Sequence, residues 1–120
     1  MQNTQLLIYP PCSTCRKAQA WLADHGVDIP TRHITEQRPS AAELGEWQKR
    51  SGLPLRRFFN TSGMLYRELE LAKRLPSMTE AEQLALLASD GMLVKRPLLV
   101  TPTAVIPGFR EQEWLRALGL

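Results

Sequence analysis

Gln5-Leu6-Leu7-Ile8-Tyr9-Pro10-Pro11-Cys12-Ser13-Thr14-Cys15 passes from an apolar stretch through two prolines to a pair of cysteines three residues apart. The apolar run suits a buried strand, and the prolines end it. Ser13 and Thr14 stand where a helix takes capping oxygens. Cys15, Ala18 and Leu22 then recur at i, i+3 and i+7, so the spacing predicts a helix to about His25, with Gly26 as its stop. Val27 to Ile34 is a second strand candidate, weakened by Pro30. Strand, helix and strand in about 30 residues make a right-handed βαβ unit.

The middle of the chain reads as helical. Ser40-Ala41-Ala42-Glu43 is a capping box, in which Ser and Glu satisfy each other's orphan backbone donors. That helix continues through Leu44 and Trp47 to Gly52. Pro54 opens a segment with Arg56, Arg57 and the turn-rich Asn60-Thr61-Ser62-Gly63, followed by a short helix from about Leu65 to Leu71. Thr79-Glu80-Ala81-Glu82 repeats the capping box before a helix through Leu84 and Leu87 to Gly91. Leu98 to Val100 and Ala104 to Ile106 form a hairpin turning near Pro102, and Gly108 precedes a last helix with Trp114, Leu115 and Leu118. A β-α-β…β-β-α order opened by Cys-x-x-Cys at the first strand-to-helix junction predicts a thioredoxin-like α/β fold. It has a four-stranded mixed sheet and a helical insertion at about 40–91, in one domain over 1–120.

Two cysteines in one tetrapeptide close a ring too small to staple a fold, so they are chemical rather than structural, and the expected compartment is reducing. In a regular helix, i and i+3 leave Cβ atoms about 5–6 Å apart, too far for a disulfide. A non-helical cap residue closes that gap and puts Cys12 before the free N–H groups of the helix start, which favours thiolate. A fall in pKa from about 8.5 to about 6.5 raises the thiolate fraction at pH 7 about 25-fold and lowers intrinsic nucleophilicity about 8-fold. Cys12 thus gains more as a leaving group than as an attacker, which suits reversible exchange. Cys12 is the expected nucleophile and Cys15, one turn on and less exposed, the resolving thiol. Zinc would need His25 and His33 as further ligands, and their spacing exceeds the usual three to five intervening residues, so no metal is expected.

The composition, 43% apolar and 22% charged, is that of a globular protein and excludes disorder. No apolar run can span a bilayer, and the opening Met1-Gln2-Asn3-Thr4-Gln5 has no leader pattern, so a cytoplasmic protein is expected. The net charge of +3 comes largely as basic doublets, whose members point in different directions and build no stripe. With only scattered aromatics, no direct contact with nucleic acid is expected.

Tyr9 to Ala18 with Trp21-Leu22, Phe59 to Gly63 with Tyr66-Arg67, and Lys95 to Val100 together resemble the arsenate reductase-like (ArsC/Spx) family, over about residues 5–118. The resemblance implies an intracellular bacterial protein with a redox cysteine at Cys12. Glutaredoxin-linked arsenate reductases of that family carry no second cysteine in the motif and hold the oxyanion with arginines. Motif matching places Arg96, Arg56 and Arg110 at such positions. Here Cys15 stands where those enzymes usually have Ser, and Asn60 where they have another arginine. Spx-like regulators keep Cys-x-x-Cys as a redox switch and bind the RNA polymerase α-subunit, usually with a longer tail. The third branch, small reductase-like proteins with the paired cysteines and the Asn-Thr-Ser-Gly segment, fits best.

The implied activity is thiol–disulfide exchange with glutathione, glutaredoxin or thioredoxin as electron donor and no bound cofactor. Arsenate reduction is the first alternative and an Spx-like regulator the second. The resemblance also implies a cis bond before Pro97, which would set Arg96 beside the nucleophile. A guanidinium there can fork onto a carboxylate or an oxyanion. Ser13, Thr14 and Arg16 fall near the pair, with Ser13 and Thr14 read as serving the cap.

Overall fold

The computed structural model describes residues 3–120; the leader reading falls partly on residues 1–2, outside them. Strand β1 (Gln5–Ile8) leads into helix α1 (Ser13–Asp24) and strand β2 (Thr31–His33). The insertion follows as α2 (Ala41–Ser51), a 3-10 turn (Leu55–Phe58), α3 (Met64–Glu68), α4 (Leu71–Arg74) and α5 (Glu80–Ser89). Strands β3 (Leu98–Val100) and β4 (Val105–Pro107) and helix α6 (Glu111–Leu118) complete the chain. The sheet order is β2-β1-β3-β4, with β1 and β2 parallel and the other pairs antiparallel. This is the thioredoxin-like α/β arrangement expected from the element order.

Strand alternation separates two apolar layers. Leu6, Ile8, Leu99 and Ile106 face α1 and α6, packing with Cys15, Ala18, Leu22, Trp114 and Leu118. Leu7, Leu98, Val100 and Val105 face the insertion, against Leu44, Trp47, Phe58 and Leu87. Both capping boxes form as read, Ser40 with Glu43 and Thr79 with Glu82.

Local departures have local causes. β2 begins only after Pro30, whose missing N–H cannot join a ladder. The single helix read from Leu65 to Leu71 is two, because Glu70 takes a left-handed conformation with φ of 52°. α5 ends at Ser89 rather than Gly91, and Asp90 accepts from the Met92 N–H to start a further 3-10 turn. Gly91 itself lies against the end of β2, where a Cβ would run into the Ile34 carbonyl oxygen.

Candidate functional site: a dithiol at the start of the first helix

The site is assembled by three backbone devices. First, the Cys12 N–H donates to the Tyr9 carbonyl at 2.9 Å, a tight turn that ends β1 and delivers Cys12 as the N-cap of α1. Second, Phe59 and Val94 pair antiparallel, flanked by Asn60 N–H to Leu93 O (2.7 Å) and Lys95 N–H to Phe58 O (2.8 Å). That bridge ties the segment of Arg57 and Asn60 to the segment of Lys95 and Arg96. Third, Arg96-Pro97 is cis, and the Gly108 N–H donates to the Pro97 carbonyl at 2.8 Å. Gly108, at φ of 88°, turns the chain so that Phe109 and Arg110 follow on the same side.

Cys12 Sγ accepts from the Cys15 backbone N–H at 3.4 Å. The sulfur itself is therefore the side-chain cap. Ser13 and Thr14, expected to cap, are exposed first-turn residues instead, because the helix starts one position earlier than their oxygens require. Cys12 is partly exposed and Cys15 buried, and both are free thiols.

Their environments push them apart. Burial acts to raise the Cys12 pKa, but the Cys15 N–H, the neighbouring Cys15 thiol, the Thr14 N–H and the Arg96 charge outweigh it, and Cys12 is held below the ordinary thiol value. At Cys15, burial pushes the thiol up to about 12, helped by the hydrogen bond and charge of Cys12 and opposed by the Tyr9 backbone and Arg96. One thiol is disposed to ionise and its neighbour to stay protonated, the division of labour that exchange requires.

Cys12 opens onto a cavity of 640 Å³. Its basic lining is Arg57, Lys95, Arg96 and Arg110, and no Asp or Glu lines it. Arg96 is held firmly: its Nη1 donates to the Met92 carbonyl at 3.0 Å, and the guanidinium lies over the Tyr9 ring, 5.1 Å from the centroid. Arg110 is an exposed rim residue paired with Glu113 at 3.4 Å.

The ArsC family pattern matches residues 7–117. The chain belongs to the ArsC family. It is 56% identical over 106 residues to YusI of Bacillus subtilis (strain 168), an uncharacterized protein, covering 88% of this chain and 90% of YusI. A solved structure described as a possible arsenate reductase from Streptococcus mutans UA159 superposes with a TM-score of 0.85 at 42% identity, covering 92% of this chain and 96% of that one. The regulatory protein MgsR of Bacillus subtilis (strain 168) is 29% identical over 115 residues, 96% of this chain and 90% of MgsR. ArsC-family kinship thus reaches both arsenate reductase-like proteins and regulators.

In this ArsC-family chain the expected residues do not all converge. Cys12, Thr14, Arg96 and Arg110 line the cavity. Arg56 does not: it is exposed and borders a separate cavity of 460 Å³ beside Leu55, Tyr66 and Leu75. Its neighbour Arg57 faces Cys12 instead. In a 3-10 turn, consecutive side chains are a third of a turn apart, so only one of an Arg-Arg pair can reach the site. Arg16 donates its backbone N–H to Cys12 O, but its exposed side chain is not part of the lining. Pro97 is buried and shapes the site through its backbone.

Lys95, Ser62 and Phe109 also line the cavity and were not expected there, although Lys95 opens the Lys95 to Val100 motif. His25 and His33 are engaged locally, His25 Nδ1 with the Trp21 carbonyl and His33 Nδ1 with Thr35. Among the described residues no three His, Cys, Asp or Glu side chains converge to hold a metal, and no helix is long and apolar enough to cross a membrane.

Proposed function

We propose that the chain acts as one unit in thiol–disulfide exchange, with Cys12 as nucleophile and Cys15 as resolving thiol. The observation that carries this reading is the capping contact itself. A sulfur that accepts a helix-start N–H, beside the Arg96 charge, is favoured as an anion, and the second thiol is one turn behind it. Cys12 thiolate attacks the sulfur of a substrate disulfide, forming a mixed disulfide and releasing a thiolate. Cys15 then gives up its proton, attacks Cys12 Sγ and expels the second thiolate, which takes up a proton, leaving Cys12 and Cys15 joined.

The two steps are coupled electrostatically. While Cys12 is an anion, its charge and hydrogen bond help keep Cys15 protonated. Once Cys12 is capped as a mixed disulfide, both influences vanish and Cys15 becomes more acidic at the stage where it must attack. Two molecules of glutathione, or one dithiol of a glutaredoxin or thioredoxin, would restore the pair, in the reducing setting of a cytoplasm. Arg96 and Arg57 serve as anion contacts, with Arg110 at the rim and Pro97 as a structural support.

Reduction of a glutathionylated peptide tests this. Cys15→Ser should accumulate a mixed disulfide at Cys12, seen by intact-protein mass, and lose multiple turnover, while Cys12→Ser should be inactive. Turnover surviving in Cys12→Ser overturns the reading. The carboxylate-free basic lining supports a second reading, arsenate reduction at the same sulfur. Arsenate-dependent oxidation of NADPH through glutathione and glutaredoxin, lost in Arg96→Ala, would favour it. A single oxidation per chain without turnover would favour instead a redox switch with RNA polymerase α-subunit as partner, the reading supported by kinship with a regulator.

A further inference from the structure

Exchange with a neutral disulfide moves one negative charge from sulfur to sulfur, and one nearby cation suffices for it. The Cys12 cavity holds four basic side chains, and of these four only Arg110 has a carboxylate partner among the described residues. Arg57, Lys95 and Arg96 face the space without one. That surplus fits a substrate that brings negative charge of its own, and it favours a leaving group that departs with more.

Size and shape narrow the class. A volume of 640 Å³ lies in the range of about 300–1,000 Å³ that holds small organic ligands, roomier than a bare oxyanion needs. Phe109 and Pro107 add apolar surface to the lining beside the basic residues. No carboxylate of the lining is there to receive an ammonium group, so a small substrate whose only charges are negative matches the cavity best.

We propose that the cavity takes organic S-sulfonates, R–S–SO₃⁻ with no ammonium group in R, and that Cys12 displaces sulfite from them; this rests on the Cys12/Cys15 reading above. Cys12 thiolate attacks the sulfur that bears R, the S–S bond breaks, and sulfite leaves as a dianion beside Arg57, Lys95 and Arg96. Cys15 loses its proton, attacks Cys12 Sγ and expels R–S⁻, which is protonated. The dithiol and R–S–SO₃⁻ become the protein disulfide, R–SH and HSO₃⁻. The two protein thiols are oxidised and the S–S bond of the substrate is reduced, so no external reductant enters this half-reaction.

The test is a single turnover of pre-reduced, reductant-free protein. Three oxidants are compared: the S-sulfonate of 3-mercaptopropionate, the neutral bis(2-hydroxyethyl) disulfide, and arsenate. The expected result is one sulfite per chain, with the S-sulfonate reacting at least about tenfold faster than the neutral disulfide, and a fall of that ratio by about tenfold in Arg57→Ala. Cys15→Ser should carry mercaptopropionate, not sulfite, on Cys12. Equal rates for the two sulfur substrates overturn the inference and leave the thiol–disulfide reading standing. Oxidation by arsenate alone overturns both in favour of the arsenate reading.

Discussion

At Cys12 the balance of opposing influences fixes reactivity, and each can be removed singly. The pKa lies below the ordinary thiol value because hydrogen bonds and the Arg96 charge overcome burial. Alkylation of Cys12 by iodoacetamide should therefore show its pH midpoint below that of a free thiol, while Cys15, which burial holds up, lags behind it throughout. Arg96→Ala removes a charge that favours the anion, so the Cys12 midpoint moves up. Tyr9→Leu, which takes the ring from under the guanidinium, should move it the same way by a smaller amount, since a cation–π contact is worth about 0.5–2 kcal/mol. An unchanged midpoint in both variants would show that Arg96 does not act on Cys12.

Among the residues of this site, the cysteine pair was legible in the sequence because its chemistry depends on a local spacing. The choice between Arg56 and Arg57 was not, because it depends on the phase of a turn that only packing of Leu55 and Phe58 sets.

Among the elements, those whose ends are written in capping chemistry were readable. Ser40-Glu43 and Thr79-Glu82 announce α2 and α5, and Gly52 ends α2 in a left-handed conformation. The division of α3 from α4 had no such mark, since the residue at positive φ is Glu70 and not a glycine or asparagine. Likewise, no sequence signal announced the Phe59–Val94 bridge, a pairing of residues far apart in the chain. At the junction after α5, Gly91 meets the backbone at Ile34 and Thr35 with no room for a Cβ. Gly91→Ala must push these segments apart. Urea denaturation should show a loss of about 1–3 kcal/mol, the usual cost of overpacking.

For the molecule as a whole, the sheet separates the layer of α1 and α6, which presents the sulfurs, from the insertion, which brings Arg57 to the cavity. α1 and α6 cover one face around Trp114, which is fully buried and donates its indole N–H to Gly108 O at 3.1 Å. Phe109 rests against that ring, with centroids 5.0 Å apart. Trp114→Ala should thus cost about 3–5 kcal/mol in thermal or chemical unfolding, as large aromatic deletions do. It should also raise KM for a substrate held against Phe109, whereas Trp114→Phe should keep more of both.

The insertion reaches the site from the opposite face, and at Asn60 and Lys95 it is joined to the lead of β3 through amides and carbonyls. Peptide groups are common to nearly every amino acid, so the identities at positions 57, 60 and 95 are free to drift while the enclosure persists. The anion that the proposed site admits could thus be retuned one substitution at a time, without first surrendering the architecture that encloses it.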